Sequence, residues 1–212
     1  MEKVNYDKKM EEIINNNKNL GVKPRILFHT CCAPCSSYCI LRLLDYFNIT
    51  ILYYNPNIEP ESEYLKRKNE QKRFIKELEL DNVDFLDCDY NHEAFKALSK
   101  GLESELEGGP RCFKCYRERL SYTAIKAKEL GYDYFGTSLT VSPYKNSQVL
   151  NKIGEELQSL YGVKFLYSDF KKQNGYKMSI ELSHKYNLYR QDYCGCKYSK
   201  EERERKVSLS SN

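Results

Sequence analysis

No apolar run in the sequence is long enough to span a bilayer, and the opening stretch Met-Glu-Lys-Val-Asn-Tyr-Asp-Lys-Lys has no signal-peptide core. Both absences argue against a membrane span or secretion, so the expected location is the cytoplasm. Thiols stay reduced there, which argues against structural disulfides. Charge of one sign is also scarce. A net charge of +4 over 212 residues does not by itself imply a polyanionic partner, although a local basic face is compatible with it. There is no internal repeat and no low-complexity linker. The reading is one domain over 1–212, with a helical extension over 1–20 and a cysteine loop with a basic tail over 188–212. Apolar residues make up 41% of the chain, with 19 Tyr and 9 Phe, which is enough for a globular core.

Cysteine is what the chain has in excess. Seven of its nine cysteines fall in three tight groups: Cys31, Cys32 and Cys35; Cys112 and Cys115; Cys194 and Cys196. In a reducing compartment such groups read as metal ligands or redox centres. Cys32 and Cys35 have the Cys-x-x-Cys spacing that lets two sulfurs reach one metal centre from a turn, as do Cys112 and Cys115. Cys35 and Cys112 open helical patterns, where the helix dipole favours thiolates. Spacing alone leaves zinc and iron–sulfur open. Four thiols close a zinc site, so the surplus points toward redox chemistry. Gly195 permits the tight backbone that pairs Cys194 with Cys196, either as a redox dithiol or as ligands of a second metal.

Strand and helix patterns alternate along the chain. Short apolar runs at 25–29, 49–54, 83–88, 134–139 and 163–167 read as strands. Helical patterns occupy 35–47, 61–80, 112–130 and 147–160, with another near the start through Met10, Ile13 and Ile14. The expectation is an α/β fold with a parallel sheet covered by helices on both faces. Ligands bind outside the carboxyl ends of such strands, where the three cysteine groups would meet.

The remaining candidates carry weaker signals. Cys39 and Cys88 read as packed small hydrophobes, and His29 reads as a hydrogen-bonded structural group close to the double cysteine. Arg111 follows a Gly-Gly-Pro turn, where it could hold a phosphate or carboxylate. Lys66, Arg67, Lys68, Lys72 and Arg73 could form a basic stripe on the third helix. Lys171, Lys172, Arg190, Lys197 and Lys200 flank the last cysteine pair, and Arg203, Arg205 and Lys206 follow it. Tyr189 or Tyr193 could stack on a splayed base.

Taken in order, His29-x-Cys-Cys-Ala-Pro-Cys-Ser, Tyr54-Asn-Pro-Asn-Ile, Gly108-x-x-Arg-Cys-x-x-Cys115, Ser142-Pro-x-Lys145, Asp169-Phe-Lys-Lys and Leu188-Tyr-Arg-Gln-x-Tyr-Cys-Gly-Cys196 resemble the QueH-type epoxyqueuosine reductases. The resemblance covers most of the chain. It implies a Rossmann-like sheet of the adenine-nucleotide α-hydrolase (HUP-like) type. It also implies reduction of epoxyqueuosine to queuosine in the tRNA anticodon loop, a step that removes one oxygen with two electrons and two protons. The implied cofactor is a 4Fe–4S cluster, held by Cys31, Cys32, Cys112 and Cys115, with an adjacent mononuclear iron or redox centre. Cys194 and Cys196 are then the redox pair or ligands of that second metal, and Cys35 can exchange with either group. Asp89 is the implied carboxylate ligand or proton donor. Arg111, Lys171, Lys172 and Arg190 are the expected substrate contacts. An electron donor is needed, and the sequence does not identify it. Related ATP-using tRNA enzymes carry a Gly- and Ser-rich phosphate loop after the first strand. Cys31-Cys32-Ala-Pro-Cys35 takes that place here, so no ATP chemistry is expected. The rival readings are an iron–sulfur tRNA sulfurtransferase and a zinc-stabilised RNA-binding module.

Overall fold

Ile26, Leu27 and Phe28 are wholly buried and alternate in direction, as a strand covered on both faces requires. Ile26 and Phe28 join one apolar cluster with Ile49, Ile51, Ile40, Leu43 and Phe74. Leu27 joins another with Leu52, Phe135, Leu120, Ala124 and Leu150. This central strand fixes the architecture of the computed structural model, which describes residues 3–210.

The elements run α1 (Tyr6–Asn19), β1 (Arg25–His29), α2 (Ala33–Leu43), β2 (Asn48–Leu52), α3 (Glu61–Leu78), β3 (Val83–Leu86), α4 (His92–Ser99), α5 (Pro110–Glu129), β4 (Tyr134–Thr137), a 3-10 turn (Ser138–Val141), α6 (Ser147–Tyr161), β5 (Lys164–Phe165), α7 (Gly175–Lys185) and α8 (Lys197–Ser210). The five strands are all parallel and ordered β3-β2-β1-β4-β5. The α/β class and the Rossmann-like sheet are therefore as expected. His29, at the end of β1, stands opposite Leu52 on one side and Thr137 on the other. Strands β2 and β3 are added on one side of β1 and β4 and β5 on the other, and it is at such a switch in winding that a crevice opens beyond the strand ends.

Some boundaries differ from the sequence reading. Helix α2 starts at Ala33 rather than Cys35, because Pro34 fits a first helical turn, where its missing N–H is not needed. Strand β5 is two residues long. Much of the stretch expected to be a tail is helix α8, whose surface is almost wholly polar and so carries no apolar periodicity. Helices α4 and α7 were not anticipated. Each is short, and α7 buries mostly small residues: Gly175, Ser179 and Ser183, with Leu182. Among the described residues, no helix is long and apolar enough to cross a membrane.

Candidate metal centre and its cavity

Two helices deliver cysteines in the same way. Helix α2 opens Ala33-Pro34-Cys35 after Cys32 as N-cap, and α5 opens Pro110-Arg111-Cys112 after Gly109. Neither N-terminus has a side-chain cap. The polar first turns are thus left to the sulfurs, and Cys112 Sγ accepts the N–H of Gly108 at 3.3 Å. Beyond β1, Cys31 and Cys32 place their sulfurs 3.8 Å apart. With Cys35 they form a trio whose sulfurs all lie within 4.8 Å of one another. Two thiolates on one tetrahedral ion, with metal–sulfur bonds near 2.3 Å, are separated by about 3.8 Å. The trio's donor set therefore fits a soft metal.

The sulfur best suited to ionise is Cys31. Thiol hydrogen bonds from Cys32 and Cys35 hold it well below the usual thiol range against the effect of burial, and Lys145 and Arg119 add to this. Cys32 is pushed up to about 12 and Cys35 well up, because both serve Cys31 as donors. Burial pushes Cys112 up as well. Cys35 and Cys112 both lie in first helical turns, where the dipole favours a thiolate, while the neighbouring thiols act against it at Cys35 and burial acts against it at Cys112.

Cys112, Cys115, Cys194 and Cys196 line a second, narrow cavity with Asn57, Arg111 and Arg119. Buried nitrogens without a protein partner gather there: Nε and Nη2 of Arg119, Nε of Arg111 and Nδ2 of Asn57. Desolvation of that kind is costly unless the groups face an acceptor or an anion. Four thiols thus line this cavity beside a guanidinium with free N–H groups, while among the described residues the group of three or more sulfurs close enough to share one ion is Cys31, Cys32 and Cys35. Cys194 belongs to both cavities and joins the two sets. Its position depends on Gly195, at φ +129°, where an added Cβ would lie 2.8 Å from Ile58. Arg67, buried on α3, holds the Cys194 carbonyl oxygen from Nη1 at 3.1 Å.

The larger cavity, about 480 Å³, opens beyond the ends of β1 and β4 and is lined by Cys31, Cys32, Cys35 and Cys194 on its thiol wall. Lys145, Glu107, Tyr176 and Tyr193 face it, while Arg190, Asp192, Arg203 and Lys206 also line it. Burial works against charge on Lys145, but the sulfurs of Cys194 and Cys31 outweigh it and push its pKa up. Burial raises the Glu107 carboxyl.

Of the other expected site residues, Arg111 and Arg190 line the two cavities, and the rest lie elsewhere. Asp89 is exposed past β3 and lines neither cavity. Arg111 is buried and donates to the carbonyl oxygens of Leu102 (2.9 Å) and Glu103 (3.1 Å), so it fixes a loop. Lys171 donates to the carbonyl oxygens of Thr140 and Lys145 and pairs with Asp169 at 3.0 Å, while Lys172 is exposed beside it. The stripe expected on α3 is largely engaged within the protein: Arg67 is buried, Lys68 and Lys72 pair with Asp87, Arg73 pairs with Glu70 and Glu77, and Lys66 covers the Tyr189 ring.

His29 is structural. Its Nε2 faces the Tyr54 carbonyl oxygen at 3.1 Å and must donate, so Nδ1 accepts from Thr137 Oγ1 at 3.0 Å. Burial and Arg119 lower its pKa to about 3. Cys39 is fully buried in the apolar cluster on the α2 face, and Cys88 packs in the other cluster. The buried cations were missed in the sequence. Arg119 had a readable signal, because 112, 115 and 119 fall on one stripe of a helix. Arg67, inside a charged run, had none.

Comparison with known proteins follows the same residues. A family model described as epoxyqueuosine reductase QueH matches residues 26–202. The epoxyqueuosine reductase QueH of Staphylococcus epidermidis is 44% identical over 203 residues, covering 93% of this chain and 85% of that protein. The protein of that name from Streptococcus pyogenes serotype M1 is 44% identical over 201 residues, covering 93% and 79%. The one from Thermotoga maritima is 35% identical over 184 residues, covering 85% and 93%.

Proposed function

The chain belongs to the epoxyqueuosine reductase QueH family, and from that we propose that it reduces epoxyqueuosine in the anticodon loop of tRNA to queuosine. The observation that carries the proposal is the thiol wall: Cys31, Cys32 and Cys35 within 4.8 Å of one another, facing the same cavity as Cys194. Few side-chain sets other than metal ligands or redox thiols bury so many sulfurs together.

In this reading Cys31, Cys32, Cys112 and Cys115 would hold a 4Fe–4S cluster. Cys194 and Cys196 would hold an adjacent iron or pair as a dithiol, and Cys35, close to Cys31 and Cys32, would exchange with either group. A thiolate-ligated iron centre supplies single electrons and a Lewis-acidic position for oxygen. The protein's own part is to enclose the modified base and exclude water. Tyr144, 71% exposed beside the cavity, offers a face for an unstacked base, as does Tyr193. Arg190, which lines the cavity, and Lys172, exposed beside Lys171, would neutralise backbone phosphates. Glu107, its carboxyl raised by burial, takes the place as acid that the sequence suggested for Asp89. The reaction runs in the cytoplasm, where thiols remain reduced and tRNA is available.

The test uses protein purified without oxygen and assayed for iron, sulfide and conversion of an anticodon stem-loop carrying epoxyqueuosine. With a low-potential reductant, the expected product has lost one oxygen by mass spectrometry. Iron- and sulfide-loaded protein that leaves the epoxide intact overturns the proposal. A colourless protein holding only zinc would favour an RNA-binding module instead.

A further inference from the structure

Lys145 is only 7% exposed, yet it lines the larger cavity. Among the described residues its ammonium has no carboxylate within ion-pair distance and no hydrogen-bond acceptor. A buried ammonium is normally paired, because its three N–H donors lose water on burial. The groups of opposite charge that bear on it are the sulfurs of Cys194 and Cys31, the Tyr116 phenol and the Cys35 sulfur, and Glu107 interacts with it across the same cavity without pairing. It lines the same cavity as Cys31, Cys35 and Cys194, where the two thiol sets meet. The other cations around the cavity lie at its mouth and have partners: Arg203 with Asp192 at 3.1 Å, Lys206 with Glu202 at 2.7 Å, and Arg190 with Ser183 Oγ at 3.3 Å.

The backbone that carries Lys145 is held firmly. Its N–H closes a turn on Ser142 O at 3.2 Å, and the Ser142 hydroxyl accepts the Tyr144 N–H at 3.4 Å. Lys171 then ties the Lys145 and Thr140 carbonyl oxygens together, at 3.3 and 3.0 Å. The turn follows β4 after the 3-10 turn Ser138–Val141 and so lies beyond the carboxyl edge of the sheet. A rigid, buried donor with free N–H groups beside a redox wall suits an oxygen atom of the ligand better than a mobile phosphate.

We infer that the Lys145 ammonium donates a hydrogen bond to the epoxide oxygen of the substrate and holds that oxygen against the thiol wall. This rests on the reading given under Proposed function. The reduction breaks both carbon–oxygen bonds of the three-membered ring and forms the carbon–carbon double bond. It takes two electrons from the external reductant that the reductase activity requires, and the oxygen leaves as water with two protons that come ultimately from solvent, the first by way of Glu107. Lys145 supplies none of these protons. Its charge stabilises the oxygen as negative charge builds on it.

The test measures binding without reductant, so that the epoxide survives. Two anticodon stem-loops are compared, one carrying epoxyqueuosine and one carrying queuosine. Lys145→Met should weaken binding of the epoxide form by about tenfold, the worth of one charged hydrogen bond, and leave the queuosine form within about twofold. Iron and sulfide content should match wild type, and Lys145→Arg, which keeps charge and donors, should recover part of the preference. With reductant added, single-turnover reduction by Lys145→Met should be at least about tenfold slower. Equal weakening of both RNAs, unchanged affinities, or loss of iron and sulfide from Lys145→Met would each overturn the inference. Wild-type protein that fails to reduce the epoxide form removes the underlying reading instead, which the same experiment shows separately.

Discussion

Arg67 donates from Nη1 to the carbonyl oxygen of Cys194 at 3.1 Å, while its Nε pairs with Glu63 at 2.6 Å. Helix α3 thereby holds the loop that carries the third cysteine group. The guanidinium is 1% exposed, so neither partner can easily substitute water for it. Arg67→Met should cost about 2–4 kcal/mol, since it leaves a carboxylate and a carbonyl without their partner in a buried setting. Urea unfolding reads this directly. A loss under about 0.5 kcal/mol, the range of an ordinary surface change, would show that the loop is held by other contacts.

The two neighbouring cysteines of α2 should behave oppositely. Cys35 belongs to the sulfur trio, whereas Cys39 lies fully buried one turn on and donates to the Cys35 carbonyl oxygen. Cys35→Ser should lower bound iron after reconstitution. Cys39→Ser should leave iron and sulfide unchanged, with a packing cost of about 1–2 kcal/mol. Metal analysis of the folded variants decides between them, and equal iron loss in both would put Cys39 in the site.

Lys171 and Lys172 are adjacent but should differ in effect. Lys171→Met releases the Thr140–Lys145 turn. Affinity for the queuosine stem-loop should therefore stay within about twofold, while turnover of the epoxide form falls about tenfold. Lys172→Glu should instead weaken RNA binding and flatten its salt dependence by roughly one counterion. A flattened salt slope in Lys171→Met would make that residue a phosphate contact after all.

Glu70 accepts the Tyr189 N–H at 2.7 Å and pairs with Arg73, whose hydrogen bonds lower its pKa from the ordinary 4.5. A carboxylate lowered in the folded state adds stability above its unfolded value, and that stability is lost as pH falls below about 4.5. Glu70→Gln should be less stable than wild type by under about 1 kcal/mol at neutral pH, as for a largely solvated pair. The two proteins should converge in acid. Thermal unfolding at pH 7 and in the acid range tests this, and a gap that does not narrow would assign the loss to packing.

The parallel sheet and the thiol groups were legible in the sequence because both rest on short-range pattern. Ile26-Leu-Phe reads as a strand, and Cys-x-x-Cys reads as a ligand pair whatever surrounds it. Residues that act across the fold were hidden. Arg67 looked like one cation in a surface stripe, and only the placement of α3 beneath the Cys194 loop shows its partner. Asp89 looked like a residue at a strand mouth, but β3 is the edge strand, two strands away from the switch between β1 and β4. Lys145 was noticed as part of a motif and given no role, because burial without a partner is a property of the folded chain. Helix α8 was read as a tail because its polar surface carries no period.

The division of the sulfurs among distant segments also bears on when the site matures. A ribosome releases Cys31, Cys32 and Cys35 early, Cys112 and Cys115 midway, and Cys194 and Cys196 well after β5 has been made. Cys194 belongs to both cavities, so neither has its full wall until that late loop is in place. A metal that needed both thiol sets would meet an incomplete set of ligands on the nascent chain, and would find the full wall only once the sheet had formed.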